Sequence, residues 1–364
     1  DLLMQLAIPN DEIVATRIST TTGSDTLKAL SRIMIEGEIH SQGSRNENFN
    51  GVVSIILKDK EFDFNTLGDE NPVFTYQERS NTLFRGEASV SNGFFQLEFI
   101  LPKSIAYQVG YGKLSMYARN NTNTSDAIGG SINFKIGESE LDDGSDKTPP
   151  EIKLYMGDTT FINGGITSPS TQLVARLSDK SGINIANYGI GNSLIAILDN
   201  DQVYEVGDYY TTDLDDFTKG TITFPIENLD PGKHTIELKA WDTYNNPSSA
   251  RVDFVVTTGT QIAIQKLYNY PNPFSNNTTI QFEHNRAGDD LEIFATIVDL
   301  SGQTMHIMNF EAPESRYLVT LPEWDGTNTA GTKLGNGVYL LRLAVRSLLD
   351  GSKNEQISKL IILN

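Results

Sequence analysis

The chain has 364 residues, 28 Lys and Arg against 47 Asp and Glu, a net charge of −19 and no cysteine. An acidic surface repels phosphate backbones, so nucleic acid is not an expected partner, and the missing cysteines remove disulfides, thiolate metal sites and a cysteine nucleophile from these residues. No apolar run reaches the roughly 18 residues that a membrane-spanning helix needs, and the length suits two or three domains, of which three is our reading.

The first residues, "DLLMQLAIP" from Asp1, lack an initiator Met and the charged-then-apolar layout of a secretory signal, so the chain reads as processed or cut from something longer. Residues 1–24 are assigned to the end of a preceding domain and its linker. From 25 to 138 the side-chain period is two. In "GFFQLEFILP" Phe95, Leu97, Phe99 and Leu101 share one face, while Phe94, Gln96, Glu98 and Ile100 share the other. The same alternation marks Ile33, Ile35 and Ile39, then Val53, Ile55 and Leu57, then Leu114, Met116 and Ala118, and then Ile132, Phe134 and Ile136. That is enough for a first β-sandwich. "TLKALSRIMIEG" places Leu27 and Leu30 at helical spacing, but Gly37 follows and no cap or stop signal interrupts the alternation, so a strand is expected from Ile33.

Between 139 and 150 the sequence loses its periodicity and gains charge, Gly, Ser and a Pro pair, the composition of a solvated linker with a stiff exit. Its Glu140, Asp142, Asp143 and Asp146 offer the hard oxygens that calcium takes, without the fixed spacing of an EF-hand loop; charge runs of this kind are usually solvated, and no cofactor is expected.

Residues 151–258 repeat the strand logic in Ile152, Leu154 and Met156, in Leu173, Ala175 and Leu177, in Ile222, Phe224 and Ile226, in Ile236, Leu238 and Ala240, and in Val252, Phe254 and Val256. "ENLDPGKHTIELKAWDTYNN" resembles the closing hairpin of bacterial immunoglobulin-like modules through Pro231, Gly232, Trp241, Asp242 and Asn245, and "SDKSGIN" fits the same resemblance. It implies a fold, not an activity. Asp213, Asp215 and Asp216 in "YYTTDLDDF" are the most tempting carboxylates for acid and base work on a glycosidic bond, with Tyr209 and Tyr210 beside them as a sugar platform. An acidic loop between two strands is the favoured alternative.

The last region, 259–364, opens with "NYPNPFSNNTTIQFEHN". Each proline fixes φ at about −65°, extends its predecessor and removes an N–H, which suits a stiff lead at the entry or edge of a strand. We expect this lead to hold the last module at a fixed angle to the second. Asn276 and Asn277 make a turn before Thr279, Ile280, Gln281 and Phe282. Phe294, Thr296 and Val298 then enter a hairpin that turns through Asp299, Leu300, Ser301 and Gly302. Trp324, Asp325, Gly326 and Gly331 are turn residues, Tyr339, Leu341, Leu343 and Val345 share a face, and "SKLIILN" is a last short strand. Gly and aromatic residues at such places usually serve turn and core. His40, His234, His284 and His306 form no metal-type spacing.

Taken in order, Tyr270, Pro271, Asn272, Pro273 and Phe274, then Asp299 and Gly302, then Trp324, Asp325 and Gly326, then Gly337, Val338 and Tyr339, and finally Lys359 and Leu360 resemble the C-terminal sorting domain of proteins exported by the type IX (Por) secretion system of Bacteroidetes. Asp1, Leu3, Leu6, Ala7 and Pro9 resemble the last strand of a gingipain-family cysteine peptidase domain. "DKTPPEIKLYMGDTTFINGGIT" and "GIGNSLIAILD", with the proline lead, resemble the stretch after that domain in PorU-like sortases. Such sortases cut sorting domains from cargo at the outer membrane and pass the cargo to an anionic lipopolysaccharide, using a Cys-His pair. The resemblance therefore implies three consecutive immunoglobulin-like sandwiches at the cell surface. They would form a non-catalytic scaffold and docking region whose partners are an upstream peptidase domain and a PorV-like outer-membrane barrel. Two alternatives are the tail of an exported gingipain-like protease or adhesin with a cleavable sorting domain, and carbohydrate-binding modules of a surface hydrolase using Trp241 and the Tyr209–Tyr210 pair.

Overall fold

A computed structural model describes residues 11–69, 72–141, 144, 146–188, 191–257 and 261–363. The segment from Asp1 to Pro9, on which the likeness to a peptidase strand rests, lies outside the described residues, as do Asp142 and Asp143. Regular structure among the described residues is all-β apart from a 3-10 turn at Gly207–Tyr209. The chain forms two compact units, one of residues 1–153, 175–223 and 237–250, the other of residues 154–174, 224–236 and 251–364.

The first unit is built on a large sheet ordered Ser44–Arg45, Arg32–Ser41, Asp11–Thr20, Asp126–Ser131, Lys113–Asn120, Gly51–Lys58 and Thr82–Val90, with Phe94–Ile100 also paired to Arg32–Ser41. Residues 11–20, which the sequence reading leaves with a preceding domain, lie inside this sheet, antiparallel to Arg32–Ser41 and parallel to Asp126–Ser131. A smaller sheet of Gly110–Tyr111, Lys135–Ser139 and Thr26–Ala29 contributes Leu27, Ala29 and Ile136 to the same core as Ile33, Ile35, Val53, Ile55, Phe95 and Phe99. Alternation predicts this core because successive strand residues point to opposite faces. It fails at Ile132, which is 56% exposed because the strand stops at Ser131 and the next begins at Lys135.

Strands of residues 151–256 form two further sheets. One is ordered Glu151–Met156, Thr171–Ser178, Asp216–Ile226, Tyr210–Asp213; the other Ile166–Thr167, Pro247–Val256, Gly232–Trp241, Ile195–Leu198, Gln202–Glu205. The expected inward sets Leu173, Ala175 and Leu177, Ile236, Leu238 and Ala240, and Val252, Phe254 and Val256 are all buried.

In the second unit the last hundred residues form a three-stranded sheet, Ile264–Tyr270, Thr279–His284, Leu318–Thr320, and a four-stranded one, Thr304–Ala312, Leu291–Val298, Gly337–Ser347, Lys353–Ile362. Leu291, Ile293, Ala295 and Ile297 enter the core with Leu341, Leu343 and Val345. Phe294 points outward, so the hairpin strand presents to the core the face opposite to the one its Phe-x-Thr-x-Val reading emphasises.

Partly buried polar groups connect these strands to residues 154–174 of the same unit. The Tyr317 amide donates to Asp158 Oδ2 at 2.5 Å, the Leu318 amide to Thr160 Oγ1 at 3.1 Å, and the Tyr317 ring lies 4.7 Å from that of Phe161. The Tyr317 hydroxyl donates to Glu283 Oε2 at 2.7 Å, and Lys266 pairs with Glu283 Oε1 at 3.0 Å. Gly165 must be glycine here, since a Cβ would sit 2.2 Å from the Tyr317 hydroxyl.

Candidate functional site

The proline-rich lead is bonded to the last strand of its own module. Pro271 and Pro273 follow cis peptide bonds and have no N–H, and between them the Asn272 side chain takes over pairing with the last strand. Its Nδ2 donates to Lys359 O at 2.9 Å and its Oδ1 accepts the Ile361 N–H at 3.0 Å. The main chain resumes at Phe274, whose N–H donates to Ile361 O at 3.1 Å and whose carbonyl accepts Leu363 N–H at 2.9 Å. The lead is thus bound to the end of its own module, with one isolated parallel bridge between Phe274 and Ile362.

The register gathers the other signature residues at the same end. Gly337 faces Ile362, Val338 faces Ile361, Tyr339 faces Leu360 and Leu340 faces Lys359. Val298 pairs with Leu340, so the turn from Asp299 to Gly302 emerges there too. Asp299 accepts from Ser301 Oγ, Ser301 N and Gln303 N, and the Ser301 hydroxyl is the main cause that holds its carboxyl below the usual range. Trp324 is buried, 5.7 Å from the Phe274 ring, and its Nε1 donates to Thr327 O at 3.1 Å. Gly326 at φ 78° leaves room for Phe274, which a Cβ would approach to 3.2 Å. Asp325 closes its turn by accepting from Thr327 N and Oγ1. The signature residues are therefore mainly frame. Large apolar side chains exposed at that end include Tyr270, Leu300 and Leu363.

The acidic candidates separate. Asp213 pairs with Arg176 at 3.1 Å, Asp216 with Lys219 at 2.8 Å, and Asp215 accepts from the Ser89 amide and hydroxyl at 2.7 and 2.5 Å. Three carboxylates with three different partners do not form an acid and base pair across a shared substrate. Tyr210 is 2% exposed, and burial pushes its phenol far above the usual range, so only Tyr209 of that pair is available as a surface ring.

Of the four linker acids, Asp146 meets Asp179 and Asp242, with ligand atoms all within 4.8 Å of one another. Burial raises the Asp242 carboxyl to about 6, against two hydrogen bonds from Asn246 and with the charges of Asp179 and Asp146 adding to the rise. Asp179 is also raised by burial, while its Oδ1 accepts from Ser181 N and Oγ at 2.7 Å. Three carboxylate oxygens so placed can hold a divalent cation. Glu140 instead joins the neighbouring sheet, its amide donating to Ala29 O at 2.9 Å. Asp179 and Asp242 stand in the turn motifs "SDKSGIN" and "WDTYNN", whose spacing in sequence carries no ligand pattern. The signal is one Asp in the linker and one in each of two turn motifs.

No family model matches the chain, and no curated protein matches it. Among solved structures it is similar to a dimeric latent PorU from Porphyromonas gingivalis, at 29% identity over 98% of this chain and 34% of that one, with a TM-score of 0.43. The chain thus spans about a third of that protein. It also resembles fibronectin(III)-like modules of Clostridium thermocellum CbhA, at 10% identity over 58% of this chain and 94% of that one with a TM-score of 0.23. The FN1–FN3 domains of chicken CNTN1 match at 9% identity over 98% and 99%, TM-score 0.20. All three TM-scores lie below one half, so the fold class rests on the strand pairing itself.

Proposed function

We propose that the chain is the non-catalytic scaffold and outer-membrane docking region of a PorU-like sortase. Residues 25–138, 151–258 and 259–364 would act as successive modules, and a peptidase domain elsewhere in the protein would supply the Cys-His chemistry. The observation that carries this reading is the convergence of sorting-domain motifs spread from Tyr270 to Leu360 on one end of one module. Residues with no physical reason to recur together except that fold become a single framed surface. Docking there on a PorV-like barrel would use the exposed Tyr270, Leu300 and Leu363, while the sandwiches set the height of the upstream domain. With no cysteine, these residues cannot supply the nucleophile themselves.

The test is the fate of the terminal module in mature surface protein from the producing cell, read by mass spectrometry of peptides on both sides of residue 259. A sortase keeps residues 259–364 attached. Quantitative loss of those peptides would refute the sortase reading and leave the cargo one, in which the module is a cleavable address.

A further inference from the structure

The first unit carries an open cleft of about 880 Å³. Its walls include Phe62, Tyr107, Val109, Tyr111, Ile132 and Tyr188. Tyr107, Tyr111 and Tyr188 are 51%, 57% and 41% exposed, an unusual gathering of large rings at water inside one concavity. The rings are held by packing. Tyr188 stacks on Phe62 with centroids 5.7 Å apart, the Lys60 ammonium stands 5.9 Å from the Phe62 ring, and the Lys135 ammonium stands 6.0 Å from the Tyr111 ring.

The charges lining the cleft are already paired. Lys60 is 8% exposed and donates to Asp59 Oδ1 at 2.9 Å and to Ala106 O at 2.7 Å. Arg79 pairs with Glu61, and Asp63 accepts from Gln77 Nε2 at 2.9 Å. What remains on offer is aromatic faces together with the amide side chains of Gln108 and Asn133. A strongly anionic ligand would meet, among the described residues, one ammonium outside an ion pair, Lys135 beside Tyr111, against a chain whose net charge is −19. A wholly apolar ligand would leave paired ions and amides facing it. The chemistry that fits both is a chain of neutral pyranose rings, whose C–H faces lie on aromatic rings and whose hydroxyls bond to amides and carboxylates.

We infer that this cleft binds a neutral polysaccharide, a role separate from the sorting-type module and independent of the sortase reading. It also moves the sugar site away from Tyr209, Tyr210 and Trp241, where the sequence suggested one.

Calorimetric titration of the full chain with cellohexaose, xylohexaose, mannohexaose and maltohexaose, with polygalacturonate as the acidic competitor, tests it. At least one neutral oligosaccharide should bind saturably, and the double variant Tyr107→Ala/Tyr111→Ala should bind it about ten-fold more weakly or not at all. Tyr209→Ala, an exposed tyrosine outside the cleft, should bind as the unaltered chain does. Both substitutions are at exposed rings, and an unchanged melting temperature would show that the fold is kept. No binding to any neutral probe, binding that survives the double variant, or preference for polygalacturonate would each overturn the inference.

Discussion

Asn272 stands between two residues that cannot donate a backbone hydrogen bond, and its side-chain amide makes the two bonds that hold the lead to Lys359 and Ile361. Removing it in Asn272→Ala should cost about 1 kcal/mol, the low end for two hydrogen bonds because Asn272 is exposed and water replaces part of them. A denaturant melt of the full chain reads that loss, and Asn272→Asp, which keeps the acceptor and drops the donor, should fall between. His284 offers a second test. It is fully buried, donating through Nε2 to Arg316 O and accepting the Arg286 N–H at Nδ1, and burial lowers its pKa from 6.5 to about 4. A base whose folded pKa is depressed binds fewer protons folded than unfolded. Its contribution is therefore complete above pH 6.5 and lost as the pH falls from there toward 4, by on the order of 3 kcal/mol. Stability measured across that window should drop, and in His284→Asn that part of the slope should vanish.

At the scale of the element, strands whose alternation is local were legible, and their exceptions have local causes. Phe95, Leu97, Phe99 and Leu101 read correctly because one strand supplies them all, whereas Ile132 continued an apparent period across a break in the chain. Tyr317 was invisible for a different reason. Its partner Asp158 is 159 residues away, and "SRYLVTLP" reads as an ordinary strand with an apolar face. The same holds for Asp179 and Asp242, whose nearness to Asp146 exists only after the strands between them pair. The pairing of Tyr317 with Glu283 makes a sharp prediction. Burial, the bond to Glu283 and its charge keep the Tyr317 phenol protonated well above its ordinary range, and the carboxylate it serves is itself buried. Tyr317→Phe keeps the ring on Phe161 but leaves Glu283 Oε2 without this donor, so it should destabilise by about 1–3 kcal/mol. In Tyr317→Phe/Glu283→Gln the penalty should be smaller, because a neutral amide is cheaper to bury than an underpaired carboxylate.

For the whole molecule, the sequence suggests modules joined at linkers, yet the second compact unit takes residues 154–174 and 224–236 together with 251–364. Composition marked Pro149 and Pro150 as a boundary because a solvated, stiff stretch is visible in sequence. A shared polar interior is not, since its members are ordinary Asp, Thr and Tyr residues until they meet. The consequence is measurable. If the terminal module were only appended, a chain ending at Thr257 would keep the stability and amide protection of residues 154–174. The bonds from Tyr317 and Leu318 to Asp158 and Thr160, and the Tyr317 ring on Phe161, argue otherwise. Without residues 258–364, Phe161 loses its aromatic cover and Asp158 a charge-assisted bond, each worth about 1–3 kcal/mol in such surroundings. Hydrogen exchange in the truncated chain should therefore speed up across residues 156–166 relative to the full chain, while the strands Gly51–Lys58 and Lys113–Asn120 of the first unit keep their protection. Unchanged exchange at 156–166 would mean that the Tyr317 contacts carry no cooperativity. In that event the last module would be free to leave without disturbing what precedes it, the behaviour expected of a cargo tail and not of a sortase that keeps its terminal module.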